Sequence, residues 1–261
     1  MRVPTGDDFG LSVAASGLSA AQRTLTIWAD NLANQSTPGF EASLPEPSTG
    51  PSTVVAQSGW NPQGLVQPGS TATAAGVLLT AAARNTSPGP LVPTGQPTDL
   101  ALTVPGWLPV RTASGIALTR NGAFHVDAAG HLVSPGGGVL LDLALKPVVV
   151  PPGNFTVANG QVIGSNGQIV AQLGIATVPN PDGLINLGGS LLGLSPASGA
   201  LSLAPALGQD IVQGQLEGAN VSLPQAMTAL IEASGQFAAM ATVGRMAERL
   251  AQTTNNLAVL P

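Results

Sequence analysis

The N-terminal part of the chain carries apolar and small residues at helical spacing. The seam consists of Leu11, Ala14, Leu18, Ala21, Leu25, Trp28 and Leu32. Alternating steps of three and four residues predict an amphipathic helix with a heptad pattern, in which small residues fill one of the two core positions. Thr5 or Asp8 suits the start of this helix. We expect it to end near Asn34, because Thr37 precedes a proline and is therefore disfavoured in helical geometry.

The C-terminal part of the chain also carries apolar and small residues at helical spacing, over a longer stretch. Ser222 and Gln225 are spaced as a capping box, and Pro224 is tolerated in a first helical turn. The apolar or small positions that follow are Leu230, Ala233, Phe237, Met240, Gly244, Ala247, Leu250 and Leu257. The pattern predicts a helix of about 30 to 35 residues. Such a helix needs a partner for its apolar stripe, and the N-terminal helix is the obvious candidate.

The middle of the chain shows no helical period. Between residues 77 and 215, short apolar or β-branched runs alternate with turn residues, which predicts antiparallel strands. Asn121-Gly122, Asn159-Gly160, Asn166-Gly167 and the "DAAG" of 127–130 favour hairpin turns. Residues 41–76 are rich in Pro, Ser and Gly, so we expect a mostly loop-like connector there, with at most one short strand.

The predicted fold is therefore α+β, with long terminal helices that pair as a coiled-coil-like element and an antiparallel β domain inserted between them. The expected organisation is an N-terminal helix and Thr-Pro-Gly turn (1–40), a connector (41–76), a β domain (77–215) and a C-terminal helix (216–261).

Composition narrows the class of protein. Charged residues make up only 8 % of the chain, against roughly 25 % in ordinary soluble domains. This favours an assembly subunit or a protein that works in an acidic medium. A formal charge of −5 with eight Lys and Arg residues argues against nucleic-acid binding. The absence of cysteine excludes disulfides and thiolate chemistry. Neither a membrane span nor a cleaved signal segment is expected.

Candidate chemistry is sparse. His125 and His131 flank a turn, but Asp127 is the only nearby carboxylate, and this is an incomplete set of metal ligands. No Gly-x-Ser-x-Gly element is present. Arg120 is expected to have a structural role, such as bonding Asp127 across the hairpin. We therefore expect a protein that is not an enzyme and that has no cofactor and no metal.

Three segments resemble the family of bacterial flagellar rod and hook proteins. "NLANQSTPGF" is similar to the family's Asn-Leu-Ala-Asn-x-x-Thr-Pro-Gly-(Phe/Tyr) signature, and "LEGANV" to the segment that leads into the last helix. "DLALTVPGWLPVRT" and "TRNGAFHVDAAGHLV" resemble its internal block. The matching terminal positions are Asn31, Leu32, Ala33, Asn34, Thr37, Pro38, Gly39, Phe40, Leu216, Glu217, Asn220 and Val221.

The resemblance implies a structural subunit of the flagellar basal-body rod, most like the proximal rod subunit, in the periplasmic part of the flagellum. It implies other rod subunits as partners and export without a cleaved signal peptide by the flagellar type III apparatus. Terminal helices would form the inner tube and the β domain an outer layer. Three alternatives remain: a distal rod or hook-type subunit, a secreted β-rich adhesin or glycan-binding module, and a cell-wall hydrolase.

On this interpretation the two apolar stripes carry the assembly interface. Its predicted residues are Leu11, Leu18, Leu25, Trp28, Leu32, Leu230, Phe237, Met240, Leu250 and Leu257. Asn31, Asn34, Pro38 and Gly39 would set the angle at which each helix enters its connector.

Overall fold

The protein divides into two compact units. A computed structural model describes residues 6–49, 52–60, 66–74 and 77–257, with side chains described for 15–46, 82–246, 248–249 and 252–253. The first unit comprises residues 1–30, 44–82 and 224–261, and the second comprises 31–43 and 83–223. The fold class α+β is confirmed, because both long helices and a large antiparallel β region are present.

The two helices have nearly the predicted extents. Helix α1 spans Gly6–Ala33 and helix α2 spans Leu223–Leu257, which is 35 residues long. Helix α1 ends one residue before the predicted stop at Asn34, as the approaching proline requires. Within the described residues, neither helix combines the length and apolar character that a bilayer span requires.

The segment after the first helix differs from its prediction. Strands β1 (Ser43–Thr49), β2 (Ser52–Trp60) and β3 (Val66–Ala74) fill most of it, and β4 (Val77–Arg84) follows at the start of the predicted β domain. Strands β2 and β3 form an antiparallel hairpin whose pairing runs from Ser52–Ala74 to Trp60–Val66, and β1 pairs with β4. The expectation of a mostly loop-like stretch with one short strand was wrong, because main-chain pairing does not require a strong apolar pattern.

The second unit is built from short strands and one 3₁₀ turn, Pro181–Gly183. Its strands are β5 (Leu91–Pro93), β6 (Leu100–Leu102), β7 (Leu108–Thr112), β8 (Gly115–Thr119), β9 (His125–Val126), β10 (Leu132–Val133), β11 (Val139–Leu140), β12 (Phe155–Ala158), β13 (Gln161–Gly164), β14 (Ile169–Gln172), β15 (Gly174–Thr177), β16 (Ile185–Gly188), β17 (Leu191–Gly193), β18 (Ser202–Pro205), β19 (Ile211–Gln213) and β20 (Gln215–Glu217).

The largest sheet of this unit has seven strands in the order β16-β17-β8-β7-β11-β10-β9. A three-stranded sheet, β12-β13-β14, and the pairs β15-β18, β19-β6 and β20-β5 complete it. The pairs β19-β6 and β20-β5 bring residues 211–217, near the end of the unit, against residues 91–102. The recorded pairings in this unit are antiparallel, as predicted.

Two of the three Asn-Gly pairs serve as hairpin turns. Asn159-Gly160, both at positive φ, connects β12 to β13, and Asn166-Gly167 lies between β13 and β14. The "DAAG" turn joins β9 to β10 as predicted. Asn121-Gly122 does not connect paired strands, so that hairpin prediction was wrong. Glycine is needed there because a Cβ at Gly122 would overlap the carbonyl of Leu100.

The core of the second unit consists of two apolar clusters. The larger collects Leu, Val and Phe side chains from several strands, including Leu100, Leu132 and Val162, all fully buried. The smaller surrounds Trp107 and Leu118. Burial of these side chains supplies the main stabilisation of the β region.

Candidate functional site

The Thr-Pro-Gly segment forms a hydrogen-bonded turn directly after helix α1. The amide of Phe40 donates to the carbonyl oxygen of Thr37 at 3.2 Å, and Gly39 has a φ of +65°. This is the conformation of a type II turn, in which proline is favoured at the second position and glycine at the third, as Pro38 and Gly39 are here. The Gly39 amide then donates to the carbonyl oxygen of Glu217 at 2.8 Å. The turn therefore lies against strand β20, where the chain leaves the second unit.

Asn31 holds the chain that follows this turn. Its side chain is fully buried. The Nδ2 group donates to the carbonyl oxygen of Ser43 at 2.7 Å, while Oδ1 accepts the Ser43 amide at 2.9 Å. One asparagine thus satisfies both main-chain groups of a residue twelve positions later, which closes residues 31–43 into a loop.

Asn220 makes the corresponding contacts from the C-terminal side. Its Oδ1 accepts the Ala42 amide at 2.7 Å, and its Nδ2 donates to the carbonyl oxygens of Asn85 and Ser87, both at 2.7 Å. Its own amide donates to the carbonyl oxygen of Phe40 at 3.2 Å. Three segments that are far apart in the sequence therefore meet on one side chain. We call this meeting point, formed by residues 31–43, 84–89, 119–121 and 215–220, the joint.

An ion pair lies at the centre of the joint. Arg120, only 2 % exposed, directs Nε at both carboxylate oxygens of Glu217 at 2.9 Å and places Nη2 2.9 Å from Oε2. Nη1 donates to the carbonyl oxygen of Gly106 at 2.6 Å, and Glu217 Oε1 also accepts the Gly89 amide at 2.8 Å. The expectation that Arg120 bonds Asp127 was wrong. Asp127 instead accepts hydrogen bonds from His131, which lower the pKa of its carboxyl.

A second acidic group, Glu41, is buried beside the first pair. Its Oε2 accepts the Trp107 indole N–H at 3.2 Å and lies 3.6 Å from Arg84 Nη1, whereas Oε1 has no hydrogen-bond partner. Burial raises the pKa of Glu41 above 4.5, outweighing the Arg84 charge and the Trp107 hydrogen bond, which lower it. This carboxyl was not identified from the sequence, because a single Glu after a turn gives no sign of its burial.

The joint is built from ion pairs and from hydrogen bonds between side chains and main chain. Among the described residues, no three His, Asp or Glu side chains cluster as metal ligands. His131 bonds Asp127 through Nδ1 at 3.0 Å, and His125 pairs with Val133 in the strand register. These polar groups hold three distant segments of chain in fixed positions.

The predicted helix interface can be followed in the first unit, apart from Leu32, which belongs to the second. Leu18, Leu25, Trp28, Leu32, Leu230 and Phe237 are all half-buried, and Met240 is 39 % exposed. The side chains of Leu11, Leu250 and Leu257 lie outside the described residues. The two helices approach each other at Gly17, where an added Cβ would lie 3.1 Å from Met240 Sδ.

Among the helix side chains that the structure describes in the first unit, alanines are the most buried. Ala20, Ala21, Ala226 and Ala233 are each less than 9 % exposed. Among the described side chains, six large apolar residues of α2 are exposed: Leu223, Met227, Ile231, Met240, Val243 and Met246. Ile231 is the most exposed of them at 72 %. Met240 belongs to the predicted stripe, and the other five lie outside it. Their exposure was not predicted, because residues beside a stripe can be buried equally well by a second neighbouring helix.

The described residues thus form a β-rich unit with a polar joint, and long helices lie near both ends of the chain. Three family models match the chain. "Flagella basal body rod protein" matches residues 11–40, "Flagellar hook protein FlgE/F/G D1 domain" matches 101–171, and "Flagellar basal body rod FlgEFG protein C-terminal" matches 212–257. The first and third matches contain most of the residues that form the joint.

Full-length relatives agree with these matches. The chain is 30 % identical to the flagellar basal-body rod protein FlgG of Agrobacterium fabrum, covering 92 % of this chain and 96 % of the relative. It is 31 % identical to FlgF of Escherichia coli, covering 85 % and 88 %, and 29 % identical to FlgG of Bacillus subtilis, covering 93 % and 96 %. The chain therefore belongs to the flagellar basal-body rod protein family, and it is a structural subunit of the basal body. The recognition made from the motifs is confirmed.

Proposed function

We propose that the subunit polymerises helically through its terminal helices and so forms part of the flagellar drive shaft and export channel. In this proposal the helices pair as a coiled-coil-like element, and contacts between non-identical surfaces extend without closing into a ring. The β unit forms the outer layer. The subunit lies in the proximal part of the rod, in contact with itself and with neighbouring axial proteins, and has no enzymatic activity.

The observation that carries this proposal is the exposed apolar surface of α2. Met227, Ile231 and Met246 are each at least 52 % exposed in the single chain. Met227 and Ile231 are four residues apart and therefore neighbours on one helix face, and exposed apolar surface shared by neighbouring residues marks interaction sites in soluble proteins. Helix α2 is also long, at 35 residues. A helix in a protein gains most of its stability from packing of its apolar face against partners.

The assembly test compares two pairs of exposed apolar residues, one on helix α2 and one on strand β16. The double substitution Met227→Asp and Ile231→Asp should leave the free subunit folded, because both side chains are exposed there, and should abolish its incorporation into basal bodies. The matched control is Ile185→Asp with Leu187→Asp on strand β16, where the side chains are 54 % and 49 % exposed. Incorporation is measured in isolated basal bodies, and motility in the same strains.

Normal incorporation of the helix variant would contradict assembly through the helices. Equal loss in the control variant would contradict it as well, because the effect would then follow from any added charge. Antibody labelling along isolated basal bodies separates the proximal position proposed here from a distal one. Amino-terminal sequencing of the incorporated subunit tests export without a cleaved signal peptide.

A further inference from the structure

A pocket of about 170 Å³ opens beside the joint in the second unit. Its walls come from four segments: residues 34–41, including Phe40 and Glu41; Arg84 at the end of β4; Arg120; and the hairpin that connects β16 to β17. This volume is larger than a single water molecule occupies. Two charged side chains in its wall each have a buried polar atom that makes no hydrogen bond within the described part of the chain.

Arg84 is the first of these side chains. A guanidinium group offers five N–H donors. The contact recorded for this one among the described residues is the ion pair with Glu41, at 3.6 Å, which is too long for a hydrogen bond. Its Nε is buried without a partner, and 16 % of the side chain is exposed. Asp182 accepts a hydrogen bond from the main-chain amide of Arg84 at 2.6 Å, and no ion pair between Asp182 and the guanidinium is recorded among the described residues.

Glu41 is the second, and it compensates the Arg84 charge poorly. Its side chain is 4 % exposed, and Oε1 has no partner. Burial raises the pKa of Glu41; Arg84, Trp107 and Arg120 lower it, and the charge of Glu217 raises it further. Whenever Glu41 is neutral, the Arg84 guanidinium has no other ion-pair partner recorded among the described residues. Arg120 also lines the pocket, but all three of its nitrogens already bond elsewhere: Nε and Nη2 contact Glu217, and Nη1 donates to Gly106.

We propose that this pocket binds a carboxylate, with the Arg84 guanidinium as the principal donor. A single unbalanced cation calls for a monoanion, and the planar fork of arginine matches a carboxylate. A neutral Glu41 adds a hydroxyl donor at the same place, so the two side chains act together. The source of the carboxylate is an acidic side chain of a neighbouring copy or a free small carboxylate. The chain's excess of acidic residues, 13 against 8 basic ones, makes the first source abundant.

The direct test is a titration of the full-length chain with trifluoroacetate at constant ionic strength. This probe remains ionised across the pH range in which Glu41 titrates, and fluorine NMR line broadening reports its binding. Saturable binding should appear and strengthen as the pH falls and Glu41 becomes neutral. Binding that does not saturate would overturn the proposal, and saturable binding that is insensitive to pH would overturn the role given to Glu41.

Variants identify the donor. Arg84→Gln should weaken binding by at least about tenfold, the effect of losing one charge-assisted contact. The control Arg111→Gln removes an exposed arginine of the same unit that donates to Leu145, and it should leave binding unchanged. Equal losses in both variants would overturn the assignment. Thermal melts confirm that each variant is folded.

Glu41→Gln provides an independent check, because it fixes a neutral side chain at this position. It should bind the probe at neutral pH as tightly as the unaltered chain does at acid pH, with no remaining pH dependence. Weaker binding in this variant would overturn the role given to Glu41, even if Arg84→Gln failed to fold.

Incorporation into basal bodies then distinguishes the two sources. A carboxylate from a neighbouring copy predicts reduced incorporation of Arg84→Gln, whereas a free carboxylate predicts normal incorporation. The titration itself does not depend on assembly through the helices. A failed titration therefore overturns the pocket alone, and normal incorporation of the Met227/Ile231 variant overturns the assembly mode alone.

Discussion

The joint contains two arginine–glutamate pairs that are close in space and differ in how completely they are satisfied. Arg120 and Glu217 share three contacts at 2.9 Å, and each also bonds the main chain. Arg84 and Glu41 share one contact at 3.6 Å, and each retains a buried atom without a partner. Both pairs are largely shielded from water, so the difference lies in geometry and not in exposure.

This difference separates a structural role from a binding role. A buried ion pair repays its desolvation only when the geometry is good and the remaining lone pairs and protons are satisfied. The Arg120–Glu217 pair meets that condition and fixes the place where the chain leaves the β unit. The Arg84–Glu41 pair does not meet it, and its unused capacity faces a pocket. Three changes test this contrast.

The largest effect is expected from Glu217→Gln. The substitution keeps the shape of the side chain but leaves the buried Arg120 charge uncompensated, which should cost about 3–5 kcal/mol of unfolding free energy. Urea unfolding measures it, with Trp28 and Trp60 replaced by Phe so that Trp107 alone reports. The control Glu232→Gln alters an exposed helix residue and should change stability by no more than about 0.5 kcal/mol. A loss no greater than in the control would contradict the structural role.

A smaller effect is expected from Gly39→Ala. A residue with a side chain costs about 1–2 kcal/mol in this left-handed conformation. The added Cβ would also overlap the Arg120–Asn121 peptide, which adds about 1–3 kcal/mol. Gly95→Ala is the matched control, because Gly95 has a φ of +71° and nothing within 4 Å of an added Cβ. Equal shifts of the urea midpoint in Gly39→Ala and Gly95→Ala would contradict the close packing of the turn against the Arg120–Asn121 peptide.

The smallest effect concerns the pH dependence contributed by Glu41. Its pKa is raised in the folded protein, so the folded state holds this proton to a higher pH than the unfolded chain does. The corresponding stability is fully present below pH 4.5 and is lost as the pH rises through the folded pKa. In Glu41→Gln this decline should disappear. Urea midpoints measured across a pH series would contradict the prediction if the two profiles ran parallel.

Several features of the fold could be predicted from local sequence. The end of α1 follows from Pro38, the type II turn follows from Gly39, and the hairpin at Asn159-Gly160 follows from the torsions these residues favour. Each depends on a few consecutive residues. The motifs also identified Asn31, Glu217 and Asn220 as positions of interest, although their partners could not be named.

Other features depended on residues far apart in the chain. Arg120 was paired with Asp127, seven positions away, because a hairpin was the only local way to bring them together. Its actual partner, Glu217, is 97 positions away. The strands of residues 43–74 were missed for a related reason: main-chain pairing stabilises them, and their Ser, Thr and Gly side chains carry little apolar pattern.

The sequence by itself determined the helix boundaries, the antiparallel β character and the family, because these are encoded in short-range spacing and in contiguous motifs. Only the tertiary structure decided which acid pairs with which arginine, that Glu41 is buried, and which face of α2 is exposed. The physical reason is that burial and desolvation depend on every segment that packs around a group. A neighbouring residue in the sequence does not reveal those segments.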